Sequence, residues 1–117
     1  MMEVQSELYR RELLKGSTET LLLSLLATAP MYGYQLVKEM DSRSSGYFRF
    51  KEGTLYPALH RLERDDMVEG QWQPSPSGQA RWYYHITANG HRRLESMLDE
   101  WAKFTEAVNL VAHPNSP

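Results

Sequence analysis

The chain has 117 residues, 13 Lys and Arg against 15 Asp and Glu, and no cysteine. That length suits one domain plus an arm or long helix, and the lack of cysteine excludes a disulfide framework, a thiol nucleophile and a cysteine metal cage. A formal net charge of −2 argues mildly against nucleic acid as a partner, so any DNA binding must come from a local basic face.

Glu3–Leu14 is polar and helix-prone, with Val4, Leu8, Leu13 and Leu14 as its apolar residues. An arm so thin in apolar groups needs a surface to lie on. Gly16-Ser17 breaks it, and Ser17 or Thr18 can cap a second helix over about Thr18–Thr28. Leu21, Leu22, Leu23, Leu25 and Leu26 make that helix apolar most of the way round, which marks the buried centre of the domain. Its apolar run is too short to span a membrane. The early glutamates, without a small-residue cleavage pattern, do not read as a signal peptide, so a cytoplasmic protein is the default expectation.

Ala29-Pro30 ends the second helix. Met31–Tyr34 then turns the chain into a third helix, about Tyr34–Asp41, with Leu36, Val37 and Met40 on one face. Asp41–Gly46 is a loop by composition, and Tyr47–Phe50 alternates enough to predict a short strand.

In Lys51–Gly70, Leu55, Leu59 and Leu62 recur at i, i+4 and i+7 and predict a buried helical stripe. Thr54 is a candidate cap, and Pro57 sits early, where a missing N–H costs little. The opposite face carries Pro57, His60 and Arg64, flanked by Tyr56 and Arg61. Such a face is either an ordinary solvated surface or one presented to an anionic partner. With the preceding helix it predicts a helix-turn-helix.

Met67–Gln73 and Gln79–Ile86 read as strands joined by the turn Pro74–Gly78, making a hairpin. The expected fold is mainly α with a small β-hairpin: a winged helix-turn-helix domain with a C-terminal helix. On the second strand Trp82, Tyr84 and Ile86 share one face and Arg81, Tyr83 and His85 the other. One face is expected to pack inward and the other to meet solvent or DNA. The turn, rich in Pro, Ser and Gly, is expected to reorder on binding.

Thr87 can cap the last helix. Leu94, Met97, Trp101, Phe104, Val108 and Val111 fall at spacings of 3, 4, 3, 4 and 3, an a/d seam that Leu98 widens. The seam is expected to lie beyond the winged-helix core and to be an interface. It either folds back on its own domain or pairs with a second copy. The second is preferred, because a two-fold dimer doubles the recognition helix and reads a palindromic site. The expected organisation is residues 1–86 as arm and winged helix, 87–112 as dimerisation helix with Leu8 of the arm across the partner, and 113–117 as a flexible tail.

Several motifs in order resemble the PadR family of bacterial transcriptional regulators. Gly53-Thr54-Leu55-Tyr56-Pro57-Ala58-Leu59 with Arg61-Leu62-Glu63 looks like that family's recognition helix. Arg81–Thr87 with Gly90 is similar to its wing ending and helix start, and Leu14-Lys15-Gly16 and Tyr32-Gly33-Tyr34 also match. The family's usual glycine after the recognition helix is replaced here by Asp66-Met67. The candidate DNA-binding set is Tyr34, Thr54, Tyr56, His60, Arg61, Arg64, Arg81 and Tyr83, on double-stranded DNA with a palindromic operator.

The single C-terminal helix resembles the compact subfamily, which dimerises through that helix and the arm. On the residues alone Trp101 is interface core. The resemblance implies instead that Trp101 and its two-fold mate line an apolar pocket for planar aromatic compounds, cationic or neutral. Leu13, Gly16, Thr20 and Leu98 would be its neighbours. No cofactor or metal is expected: no nucleophile motif or phosphate loop is present, and His91 and Glu95 read as solvated neighbours on an exposed helix. A dimeric repressor is the expected function. The alternative is a winged-helix protein-interaction module without DNA binding, which the acidic balance would suit.

Overall fold

The computed structural model describes residues 2–115. Five helices and three strands follow in the order α1 (Met2–Leu14), α2 (Thr18–Leu26), β1 (Met31–Tyr32), α3 (Gly33–Arg43), α4 (Glu52–Arg64), β2 (Val68–Pro74), β3 (Ala80–Ile86) and α5 (Ala88–Ala112). The strands form one antiparallel sheet in the order β1-β3-β2. Val68 faces Ile86 and Pro74 faces Ala80, so β2 and β3 make the expected hairpin.

The core is the leucine stripe of α4 set against α2. Leu22, Leu23, Leu25 and Leu26 of α2 are buried together with Leu55, Ala58, Leu59 and Leu62 of α4, and Leu36 and Met40 of α3 close the layer. Each such leucine or methionine contributes about 1.5–3 kcal/mol on burial. The 3.6-residue period of α4 thus fixes which of its faces remains outside.

Two expectations about the start of α4 are corrected. The N-cap is Lys51, not Thr54, which lies inside the first turn with its N–H donating to the Lys51 carbonyl at 3.0 Å. Pro57 falls inside the helix, beyond that turn. The bond it removes is the one to the Gly53 carbonyl, and Gly53 is exposed, so water can take the vacated place.

A third correction concerns the sheet. Tyr47–Phe50 is not a strand; Phe48 and Phe50 pack against the core without a ladder partner, and the Phe48 N–H is held by Ser44 Oγ at 2.8 Å. The added strand is Met31–Tyr32, paired with Tyr84 and Tyr83.

At the end of α4, Asp66 takes the left-handed conformation (φ 59°). Its N–H donates to Glu63 O at 3.1 Å and that of Met67 to Leu62 O at 2.9 Å, the paired bonds of a Schellman close. This is the position at which the resemblance expects a glycine. The Asp66 carbonyl then accepts from Thr87 Oγ1 at 2.7 Å, and the same hydroxyl oxygen caps α5 by accepting from the Gly90 N–H at 2.9 Å. Gly90 packs so closely that a β-carbon there would lie 2.1 Å from the Met67 carbonyl oxygen. The C-terminal helix is therefore clamped to the end of α4.

That clamp places the first turns of α5 on α2 and β3 and corrects the extent of the seam. Leu94 is only 7% exposed and belongs to the domain's own core, with Met97 packed against it, so neither is a free interface residue. Beyond Met97 the helix leaves the domain, and Leu98, Trp101, Phe104 and Val108 are exposed. The radius of gyration, 16.2 Å, reflects this projection; a compact chain of this length would have about 13 Å. The tail expected over 113–117 falls partly, at 116–117, outside the described residues.

Candidate nucleic-acid interface

The outer face of α4 presents Gly53, Pro57, His60 and Arg64 to solvent, because the leucines on the opposite side are sunk in the core. Arg64 is exposed and bonds Asp65 at 3.2 Å. Tyr56 stacks on His60, with centroids 6.2 Å apart and rings inclined by 26°. Its hydroxyl donates to Glu52 Oε2 at 3.0 Å and rests on Gly33, where a β-carbon would lie 2.9 Å away. Burial first, then the Glu52 hydrogen bond, raises the Tyr56 pKa, so this phenol stays a neutral donor at ordinary pH. The flank it occupies is closed by the start of α3.

The other flank of α4 carries Thr54 and Arg61. Arg61 Nε is held by Glu19 of α2 at 2.9 Å, a tether between elements 42 positions apart. Beside this pair lies a cavity of about 530 Å³, walled by Arg11, Lys15, Gly16 and Glu19 from the arm and the start of α2 and by Phe50 and Thr54. Sequence reasoning missed Glu19, because no local pattern links it to α4.

On the wing, Arg81 lies over the Tyr32 ring at 5.4 Å from its centroid, and its Nε is buried without a hydrogen-bond partner among the described residues. Tyr83, placed at the DNA by the sequence, is corrected: it is only 7% exposed and meets the edge of Tyr32, with centroids 5.3 Å apart. The addition of β1 covers it. Tyr34 remains exposed at the start of α3, with Lys38 Nζ 5.4 Å from its ring centroid. The opposite face of the hairpin carries Trp82 edge-on to the exposed Trp72 at 5.3 Å.

The turn expected to reorder is internally bonded. Ser75 is buried; its N–H and Oγ both donate to Gln79 O, at 2.9 and 2.8 Å, and the Gly78 N–H donates to Ser75 O at 2.8 Å. Gly78 supplies the left-handed residue (φ 88°) that such a closed turn needs.

Of the expected ligand-binding residues, Leu13 and Leu98 are exposed, and Gly16 belongs to the cavity beside α4. Trp101 is half exposed, stacks on Phe104 at 5.9 Å and sits over a separate hollow along α5 with Thr105 and Asn109. The protomer therefore does not gather this set into one cavity. Among the described residues, no group of three or more His, Asp or Glu is placed to hold a metal ion, and no helix is long and apolar enough to cross a membrane.

The profile of the transcriptional regulator PadR-like family matches residues 22–96, from the core of α2 to the first turns of α5. A PadR-like transcriptional regulator from Bacillus cereus superposes with a TM-score of 0.79 at 31% identity, over 87% of this chain and 97% of that one. A PadR family transcriptional regulator from Eggerthella lenta gives 0.80 at 30% identity, over 97% and 96%. In sequence, the transcriptional regulator Rv3488 of Mycobacterium tuberculosis is 32% identical over 84 residues, 72% of this chain and 75% of that protein. The match spans the buried stripe of α4, its exposed face and the wing together, and the chain belongs to the PadR-like family of transcriptional regulators.

Proposed function

We propose that the protein is a DNA-binding repressor that works as a two-fold dimer. Each copy lays α4 in the major groove of one half of a palindromic operator, with Arg81 and the β2–β3 turn at the adjoining groove or backbone. The observation that carries this reading is the division of α4: a fully buried leucine face leaves Pro57, His60 and Arg64 clear of the domain, with Thr54 and Arg61 on one flank and Tyr56 on the other. Regulators of this family bind DNA, and a local cationic face of this kind lets a chain with net charge −2 do so.

The second copy is proposed to pair through Leu98, Trp101, Phe104 and Val108, with Leu8 and Leu13 of the arm against the partner; all six are exposed in the protomer. Two-fold pairing would bring Trp101 near its mate, and the gap between the two indoles is proposed to take a planar aromatic compound that shifts the spacing of the two α4 helices and releases DNA. The half-exposed Trp101 ring supports this part. Tryptophan quenching by planar dyes should disappear in Trp101→Ala, with Trp72 and Trp82 as constant background; equal quenching of both proteins refutes the pocket.

The test of the main reading is fluorescence anisotropy with a palindromic duplex from the region upstream of the protein's own gene and a scrambled duplex, at several salt concentrations. The expected preference for the palindrome is about a thousandfold or more. Equally weak binding to both, or none, favours an interaction module in its place.

A further inference from the structure

We propose that the end of the arm completes the DNA site: Arg11 and Lys15, together with Arg61 and the Thr54 hydroxyl, form a clamp for successive backbone phosphates, one to each cation, on the flank of α4 opposite Tyr56. This rests on the reading that α4 enters the major groove. The groove is about 12 Å wide and a helix with its side chains is about 10–12 Å across, so an inserted helix turns its two flanks toward the two phosphate rims. Thr54 and Arg61, seven positions apart, share one flank. The Tyr56 flank is closed against Gly33, whereas the Thr54 flank opens onto the cavity of about 530 Å³ walled by the arm.

The charges there are unusual for an acidic chain. Arg11, Lys15 and Arg61 line the cavity, with Glu19 as its one carboxylate among the described residues. Lys15 is tied at 3.1 Å to the exposed Glu12, and Arg11 has no ion pair among the described residues. Glu19 meets Arg61 at 2.9 Å with a carboxylate, the group whose geometry a phosphate most resembles for a guanidinium fork. Glu19 thus stands in for the phosphate in the free protein and gives way to it on DNA. It is a positioning residue that lowers affinity while the arm cations raise it.

The test uses the full chain and the operator duplex between about 50 and about 200 mM salt. Arg11→Gln with Lys15→Gln should lower the slope of log affinity against log salt by about 1.8, which narrows the affinity change over that range about 12-fold. If the double variant melts too low for the assay, Lys15→Gln alone, with a slope change of about 0.9, decides. Glu19→Gln should raise affinity several-fold, and should do so in the native background but not in Arg61→Gln. An equal gain in both backgrounds reflects net charge alone and overturns the exchange. An unchanged slope overturns the clamp. If, in addition, millimolar inorganic phosphate raises the melting temperature of the native chain but not of the double variant, the cavity is a small-anion site instead. Arg64→Ala run in parallel separates the two proposals: if it too is without effect, the placement of α4 has failed; if it lowers the operator affinity or the slope, the failure is confined to the clamp.

Discussion

Replacing Phe104 by Asp should dissociate the proposed dimer. The Phe104 side chain is 58% exposed in the protomer and stacks on Trp101 with centroids 5.9 Å apart. Full burial of a phenylalanine contributes about 1.5–3 kcal/mol, so covering the exposed part contributes roughly 1.5 kcal/mol per copy and about 3 kcal/mol for the symmetric pair. A carboxylate left in the same place adds at least about 1–3 kcal/mol of unmet solvation in each copy. Together these terms exceed about 5 kcal/mol, which weakens dimerisation by more than about a thousandfold. Sedimentation velocity at micromolar concentration should show the native chain as a dimer and Phe104→Asp as a monomer with unchanged helical signal. A variant that still sediments as a dimer would refute the stripe as the interface.

Other expectations follow from particular contacts. Gly90→Ala forces a methyl group against the Met67 carbonyl and Ile86 and should cost about 1–3 kcal/mol or more, lowering the melting temperature by at least about 4 °C in calorimetry. Asp66→Gly relieves a left-handed aspartate at the close of α4 and should stabilise by about 1 kcal/mol, raising the melting temperature by about 4 °C. Burial, with a smaller contribution from Glu63, pushes the Tyr84 phenol up to about 12. The unfolded chain ionises its tyrosines near pH 10, so this group favours the folded state fully below that pH. The advantage is lost as pH rises from about 10 toward 12, and Tyr84→Phe should flatten that part of the stability–pH curve in chemical denaturation.

Much of this was legible because it is periodic. The 3.6-residue spacing of Leu55, Leu59 and Leu62 separates the buried face of α4 from its exposed face, and the Thr87 cap and the stripe through Trp101, Phe104 and Val108 are equally local signals. What sequence reading missed depends on distant partners. Met31–Tyr32 is too short for any period, yet its pairing with β3 buries Tyr83 and gives Arg81 its aromatic bed. The apparent alternation at Tyr47–Phe50 comes from two phenylalanines packing on the core without a ladder. Leu94 carries the same spacing as the exposed stripe, and only the close approach of Gly90 to Met67 decides that it belongs to the domain. Glu19 meets Arg61 across 42 positions, a relation that exists only after folding.

Whether the outer face of α4 reads DNA is decided by the salt dependence of operator binding in Arg64→Ala. Arg64 is exposed, its side chain's one bonded partner among the described residues is the neighbouring Asp65, and it supports nothing in the core, so its removal should leave the fold intact. Operator affinity should fall, and the slope of log affinity against log salt should drop by about 0.9, one phosphate contact, if it meets the backbone. If it meets a base edge instead, affinity for the operator should fall about tenfold or more while binding to scrambled DNA is unchanged. An operator affinity and a slope both equal to those of the native chain would contradict the assignment of this face to DNA.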